Sequence, residues 1–406
     1  MNCRACNSEL SLVLIDLGQS PIANNLLQNS SENLHNETYP LCTMTCDKCS
    51  LVQLSLSINR EKLFPDDYVY HSSYSSSWLE HCKIYAKKMA MFLDLGKNDY
   101  VIEIASNDGY LLEYFKNMGV GVLGVEPAGD VAEAALEKGI PTLIEFFGYD
   151  TALKLSASYK PRLVIGNNVL AHVPDLHDFI KGFAALISDE GVITFEFPHL
   201  LNLIRNNQFD TIYHEHYSYL SLMSLIPLFA VHKLKIFDVE KLSTHGGSIR
   251  IFVAKESSAW EIKVSVNHTV KEEKEFDPRR KDVYETFQSN AITAKSEFLE
   301  EIHNLKRNNK KIAAYGAAAK GLTFLNFCGI DGSTIDYIVD LNPNKQNKYM
   351  PGSNIPVVSS DFFLQNQPDV LLVLAWNLAD EIKAQLSSVS TKKLRFLRAI
   401  PKLEYF

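Results

Sequence analysis

The chain has 406 residues, a formal net charge of −8 and a pI near 5.9, with 46% hydrophobic and 22% charged residues. That length suits two to four globular domains, and the acidic balance argues against nucleic acid as the main partner, because phosphate binding needs a basic face. No apolar stretch reaches membrane-spanning length, the opening MNCRACNSEL lacks a signal-peptide layout, and Asn2 stands where myristoylation needs glycine; a cytoplasmic protein is expected.

Residues 1 to about 66 are short, polar and turn-rich, and hold five of the seven cysteines. Cys3-x2-Cys6 and Cys46-x2-Cys49 give two knuckles of two thiolates each. Four soft ligands complete a structural zinc site, and a hairpin excursion can absorb the long gap between the pairs. A closed site of four cysteines has no open position, so it stabilises the module rather than performing chemistry. Cys42 falls outside the spacing, and Cys82 and Cys328 sit in apolar helical contexts as core residues.

A Ser/Tyr loop follows and turns helical, with Ser75 to Ser77 available as caps. From Tyr100 strands and helices alternate: VIEIA, LLEYFKNMG, VGVLGVEP, DVAEAALEKG, RLVIGNN, LHDFIKGFAALIS, GVITFEF. The alternation predicts a parallel sheet covered by helices on both faces. LKIFDVEKL and GSIRIFVA are expected as an antiparallel edge closing a domain over 67–256. The connection from Pro198 to about Ala230 is unusually long, and long connections often carry function. Residues 257–308 read as a helical connector, with one charged helix over 282–308. A second, smaller Rossmann-like unit is expected over 309–406, from KIAAYGAAAKG, IDYIVDLNP, DVLLVLAW and KLRFLRAIP.

Three constellations carry chemistry. The first is the turn Glu103-Ile-Ala-Ser106-Asn107-Asp-Gly109 after a strand, with Glu126 ending the next strand. Small residues let backbone approach a ligand, and an acid at that distance can accept from both ribose hydroxyls. The turn lacks G-x-G-x-x-G, and Ala105 stands where methyltransferases usually have a first glycine; alone, it equally suits a helix cap in an α/β core. Asn167, Asn168 and His172 follow the third strand, where such folds line a cofactor pocket. The second constellation is Tyr213-His214-Glu215-His216-Tyr217. Two histidines around a carboxylate can bind a metal, form a base tuned by the carboxylate, or sit on a solvated loop. A carboxylate on the second nitrogen of His216 would raise its pKa. The third is His245-Gly-Gly-Ser-Ile-Arg250. It reads as a tight turn against a ligand, with an arginine that either reaches a phosphate or forms an ion pair.

Taken together, the chain resembles the S-adenosylmethionine-dependent C-methyltransferases of nucleotide-linked 4-keto-6-deoxy sugars. The resemblance covers nearly the whole chain: the four-cysteine module, SSYSSSW, EIASNDGYLL, NNVLAHVPDL, FEFPHL, YHEHYSYLS, HGGSIR, YGAAAKG and NPNKQNKYMPG, in that order. It implies an α/β protein with a zinc module, a Rossmann-like class I methyltransferase domain and a Rossmann-like C-terminal domain that helps hold a nucleotide-diphospho-sugar. It implies a methyl donor held by Glu103, Ser106, Asn107, Gly109, Glu126, Asn167 and Asn168. The base corresponds to His216, with Tyr213, Glu215, His172 and Tyr74 beside it. His245, Arg250, Gly316, Ala318, Lys320, Asn342, Lys345 and Trp376 are the candidates for the acceptor. The implied reaction is methylation at C3 through an enolate on O4. A nucleotide-sugar epimerase or dehydratase, an O- or N-methyltransferase and a non-catalytic scaffold are the rival readings. A monomer is expected, because three domains bury their own cores.

Overall fold

The computed structural model describes residues 1–64, 73, 75–390 and 393–406; Tyr74 lies outside them. The N-terminal module is a small sheet of β1 (Leu12–Ser20), β2 (Tyr39–Thr45) and β3 (Val52–Leu54), followed by the short α1 (Arg60–Leu63). β1 and β2 pair antiparallel and form the excursion between the knuckles. The fourth strand of this sheet is Ser218–Tyr219, donated by the long connection of the middle domain, with Val52 opposite Tyr219 and Gln53 opposite Ser218.

α2 (Ser76–Phe92) starts where the Ser75 hydroxyl accepts from the Trp78 amide, a side-chain cap that supplies a partner to one orphan N–H. It buries Cys82, Tyr85 and Met89, one face of a helix. The middle domain then runs β4 (Tyr100–Ile104), α3 (Leu112–Asn117), β5 (Gly121–Val125), α4 (Gly129–Glu137), β6 (Thr142–Leu143), α5 (Tyr149–Ser158), β7 (Leu163–Asn167), α6 (Leu176–Leu186) and β8 (Val192–Pro198). α7 (Leu200–Arg205), β9 (Ser218–Tyr219) and α8 (Leu222–Val231) make up the long connection, and β10 (Leu234–Leu242) and β11 (Ser248–Lys255) close the sheet antiparallel. The order is β10-β11-β8-β7-β4-β5-β6, with β4 to β8 parallel. From β4 the chain moves outward to β5 and β6, then returns to β7 on the other side. The carboxyl ends of β4, β5 and β7 therefore border a switch-point crevice, the usual ligand position in such sheets.

α9 (Val264–Glu275) and α10 (Lys281–Arg307) lead to the last unit. α10 has 27 residues and buries Val283, Phe287, Ala291, Ala294, Phe298, Ile302 and Leu305. Those positions step by three and four, which keeps one stripe facing inward. The C-terminal unit comprises β12 (Ile312–Tyr315), α11 (Ala319–Cys328), β13 (Ile338–Val339), β14 (Val357–Val358), α12 (Ser360–Gln365), β15 (Val370–Val373), α13 (Ala379–Val389), β16 (Arg395–Arg398) and β17 (Glu404–Tyr405). Its order, β14-β13-β12-β15-β16-β17, has a second switch point between β12 and β15.

The units do not bury separate cores. Leu14, Leu17 and Leu41 of the module pack in one cluster with Phe209 and Ile212 of the connection and with the α10 stripe and the C-terminal sheet. Cys3, Leu10 and Cys46 pack with the middle sheet. Among the described residues no helix is long and apolar enough to cross a membrane.

Candidate active site

The two switch points face each other across one cavity of about 390 Å³. Its middle-domain wall carries Ala105, Asn107, Tyr110, Glu126, Asn167 and Asn168; its C-terminal wall carries Ala318, Ala319, Lys320, Lys345 and Asn377; between them stand His172, Thr211, Tyr213, His216 and His245. Asn24 and Arg60 of the N-terminal module complete the enclosure.

The middle-domain wall is built by backbone. Ala105 has φ +56°, the left-handed region that favours glycine, so an alanine here carries a strain of about 1–2 kcal/mol. Asn107 and Asn168 are also left-handed, at +51° and +52°. Glu126 accepts the Asn107 amide on Oε2 at 2.9 Å and the Ala128 amide on Oε1 at 3.0 Å. Each oxygen keeps a further lone pair for a ligand. Burial pushes the Glu126 carboxyl above its ordinary range, and the two amides work against that. The Oδ1 atoms of Asn167 and Asn168 are buried without a partner, and both residues face the cavity.

Tyr213 and His216 form a pair. The Tyr213 hydroxyl lies 2.9 Å from His216 Nε2, and His216 Nδ1 lies 3.0 Å from the Thr211 carbonyl. A carbonyl only accepts, so Nδ1 carries the proton and Nε2 offers its lone pair toward the phenol and the cavity. His172 is set the same way: its Nδ1 donates to the Glu215 carbonyl at 2.7 Å, and its ring centroid lies 4.7 Å from that of His216. Burial pushes His172 down to about 4, and burial together with His172 holds His216 well below 6.5. Burial also lowers His245 to about 4. All three rings are therefore neutral near neutral pH.

The expected coupling of Glu215 to His216 is not present. Glu215 points the other way, accepting the Asn24 amide at 3.2 Å and the Asn24 side chain at 3.0 Å on Oε1. Burial raises its carboxyl to about 7. The pKa of His216 is accordingly lowered, not raised. His214 also turns away and bonds the Pro40 carbonyl at 3.3 Å, so the two histidines of the segment do not converge on a common point.

Several other expected residues lie behind the cavity wall. Glu103 is fully buried under the turn, and desolvation followed by Glu126 raises its carboxyl strongly. Ser106 packs toward β5, where a Cβ on Gly124 would come within 2.4 Å of its hydroxyl. Gly109 serves packing: a Cβ there would meet the Ile140 side chain at 3.0 Å. Arg250 cannot reach a phosphate. It sits opposite Glu196 on β8 and Glu240 on β10, and its two terminal nitrogens bond those carboxylates at 2.5 and 3.0 Å. The Gly246 turn fits protein rather than ligand, because a Cβ would fall 2.4 Å from the Trp376 ring. Trp376 is a buttress: its indole donates to Asp210 at 2.6 Å, and the Lys320 ammonium lies 4.5 Å above its ring. Asn342 caps its own loop by accepting the Asn344 amide.

Lys320 and Lys345 do line the cavity. Their ammonium groups are tethered to Asn377 at 2.7 Å and to the Ala317 carbonyl at 2.8 Å. Burial lowers Lys320, and Asp210 opposes that. His245 lines it too, at φ +51°, packed on Trp78. Residues not singled out from sequence include Asn24, Arg60, Tyr110, Thr211 and Asn377; Asn24 and Arg60 lie in ordinary-looking segments and reach the site only through tertiary packing, whereas Tyr110 and Asn377 directly follow residues that were singled out.

The four cysteines fit a metal. Their sulfurs all lie within 4.8 Å of one another, with Cys3 3.5 Å from Cys49 and Cys6 3.4 Å from Cys46. Four thiolates are the donor set of a structural zinc site.

Three family models match the chain in series: a zinc binding domain over residues 3–64, a methyltransferase domain over 78–236 and a C-methyltransferase C-terminal domain over 243–401. The C-methyltransferase NovU of Streptomyces niveus is 33% identical over 400 residues, covering 98% of this chain and 95% of that protein. Among solved structures, an S-adenosylmethionine-dependent methyltransferase from Clostridium acetobutylicum aligns over 44% of this chain and 92% of its own, at 11% identity and a TM-score of 0.35. Magnesium protoporphyrin IX methyltransferase of Synechocystis PCC 6803 with bound SAH aligns over 44% and 82%, at 14% identity and a TM-score of 0.35.

Proposed function

Because this chain belongs to the family of S-adenosylmethionine-dependent C-methyltransferases, we propose that its acceptor is a nucleotide-diphospho-4-keto-6-deoxy sugar, methylated at C3 through an enolate generated by His216. The observation that carries this reading is the Tyr213–His216 pair, with an unprotonated Nε2 facing the cavity that both switch points share.

The middle-domain wall suits the donor. Partnerless oxygens on Asn167 and Asn168, spare lone pairs on Glu126 and the close-approaching Ala105 turn are what a nucleoside with a charged amino-acid tail requires. Bound there, S-adenosylmethionine supplies an electrophilic methyl group. Opposite, the amino end of α11 with Lys320 and Lys345 suits a diphosphate.

A C–H beside a ketone becomes acidic when the developing oxyanion is stabilised. Tyr213 would turn its hydroxyl proton from His216 Nε2 to the sugar O4, which both frees the base and stabilises the enolate. Nε2 would take the C3 proton, and the Thr211 carbonyl would hold the imidazolium through Nδ1–H. His172, with its Nδ1–H used on Glu215, presents a bare Nε2 and is not an oxyanion donor in its neutral form. The C3 carbanion so formed would be the nucleophile for the methyl group of a donor held by Glu126, Asn167 and Asn168. No metal is asked to act at the reacting carbon, in keeping with a closed four-cysteine site.

The test is incubation with thymidine- and guanosine-diphospho-4-keto-6-deoxy sugars and S-adenosylmethionine, read by mass spectrometry and NMR. The reading expects a gain of one methyl on carbon C3. Methyl on oxygen would replace it with O-methylation, and no gain from any such sugar would remove this acceptor class.

A further inference from the structure

Three carbonyls of the segment that bears His216 are each held by a different part of the chain. Ile212 O accepts from the Thr323 hydroxyl of the C-terminal unit at 2.8 Å. Glu215 O accepts from His172 of the middle domain at 2.7 Å. Tyr217 O accepts from Arg4 Nη1 at 2.9 Å and from the Leu54 amide at 3.0 Å, both in the N-terminal module. The side chains repeat the pattern. Glu215 is taken by Asn24, His214 by Pro40 and the Tyr217 hydroxyl by the Ile58 carbonyl, all in the module. From Ile212 to Tyr217, Tyr213 and His216 are the residues that line the cavity. Arg4 stands between Cys3 and Cys6, and the knuckle turn closes on it through the Asn7 amide to the Cys3 carbonyl at 2.9 Å. Its own amide donates to Gln53 at 2.8 Å, on the strand that pairs with Ser218.

We propose that the four-cysteine module is a clamp that positions the His216 segment, with Arg4 and Asn24 as its two positioning residues. The proposal rests on His216 being the base; the module itself touches no reacting atom. Ligation of Cys3 and Cys6 fixes the turn that carries Arg4, Arg4 and β3 fix Tyr217, and Asn24 fixes Glu215. His216, flanked by both anchors, is left one geometry. Misplacing a catalytic group by about 1 Å costs about 100-fold in rate, whereas among the described residues Arg4 and Asn24 bond the His216 segment and the module rather than Glu126, Asn167 or Asn168.

The experiment uses the full chain with Arg4→Met and Asn24→Ala, singly and together. Four quantities are read: bound zinc, calorimetric affinity for S-adenosylmethionine, kcat for methyl transfer, and amide hydrogen exchange over residues 211–219. In the double variant we expect zinc and donor affinity to stay within about twofold, exchange over 211–219 to accelerate, and kcat to fall by about 10- to 100-fold. Unchanged exchange in that segment overturns the clamp, as does faster exchange with full kcat. A donor affinity that falls in step with kcat also overturns it, because that reports general loosening. If the double variant fails to fold, the Asn24→Ala single variant carries the same readouts. Should His216→Asn retain wild-type turnover, the base assignment fails, while the exchange and donor measurements still decide whether the module holds the segment.

Discussion

The middle-domain wall of the cavity, the proposed donor site, is built almost entirely from strand ends and turns close in the chain, whereas the wall that bears His216 is assembled by contacts spanning the whole sequence. Ala105, Asn107, Glu126, Asn167 and Asn168 sit at the carboxyl ends of β4, β5 and β7, where the sheet itself delivers them to the crevice. Tyr213 and His216 instead depend on Arg4, Asn24, His172 and Thr323, which lie up to 213 residues away from their partners. A wall positioned by its own sheet keeps its shape when a distant contact is lost. Side-chain-built walls fail when a remote anchor is lost.

The largest effect expected from perturbing this contrast is at neither wall. Arg250→Met removes the cation between Glu196 and Glu240, leaving the fully buried Glu196 carboxylate with only His81 and the Thr244 hydroxyl as partners. Breaking such a pair costs about 3–5 kcal/mol. Chemical denaturation should show that loss, while S-adenosylmethionine affinity of the folded fraction stays unchanged; a selective loss of sugar affinity would instead make Arg250 an acceptor ligand. Glu126→Ala removes an anchor of the Asn107 and Ala128 amides together with the proposed ribose acceptor. Hydrogen bonds to charged groups contribute about 1.5–3 kcal/mol each, so donor affinity by calorimetry should fall by about 10- to 100-fold. Equal donor affinity would place the donor elsewhere.

The acid–base wall should respond to pH. On the proposal that His216 is the base, which works when unprotonated and is held below 6.5 by burial, kcat should be flat as pH rises above about 6.5 and should fall only on the acid side. A limb centred above 7 would contradict the lowered direction. Stability has a matching sign: His172 and His245 are lowered from 6.5 to about 4, so the unfolded chain binds more protons in that window. The contribution of these two histidines to stability should decline as pH falls from about 6.5 toward 4, opposed by Glu215, which burial raises to about 7; it is read as the difference in urea unfolding between the wild type and His172→Asn or His245→Asn across that window. The smallest effect is at the donor turn: Ala105→Gly should stabilise by about 1 kcal/mol, because it relieves the left-handed alanine.

The two walls were also unequally legible from sequence. Period-two and period-3.6 patterns set out the alternating strands, the antiparallel edge and the long α10, because those elements depend on local burial. The cysteine spacing did the same for the metal module. The small β6 and the helix α5 passed unread, since TL is too short to show a period and YDTALKLSAS is only weakly amphipathic. Residues that line the cavity were legible where direction follows from the fold, as with Glu126 and Asn168. They were misread where direction depends on tertiary partners. Glu215 is adjacent to His216 in sequence, yet the chain turns its carboxylate toward Asn24. Arg250 sits in a motif beside a cavity residue, but strand alternation and two register neighbours bury it in the sheet. Trp376 and Asn342 follow strand ends as expected and then pack against protein.

The most direct test of the account is solvent-deuterium uptake at C3 of the 4-keto sugar, in heavy water without S-adenosylmethionine, for the wild-type chain and His216→Asn. The account predicts uptake by the wild type and its reduction by about 10²- to 10⁴-fold in the variant, with donor affinity retained. Uptake that survives in His216→Asn would contradict a base at His216.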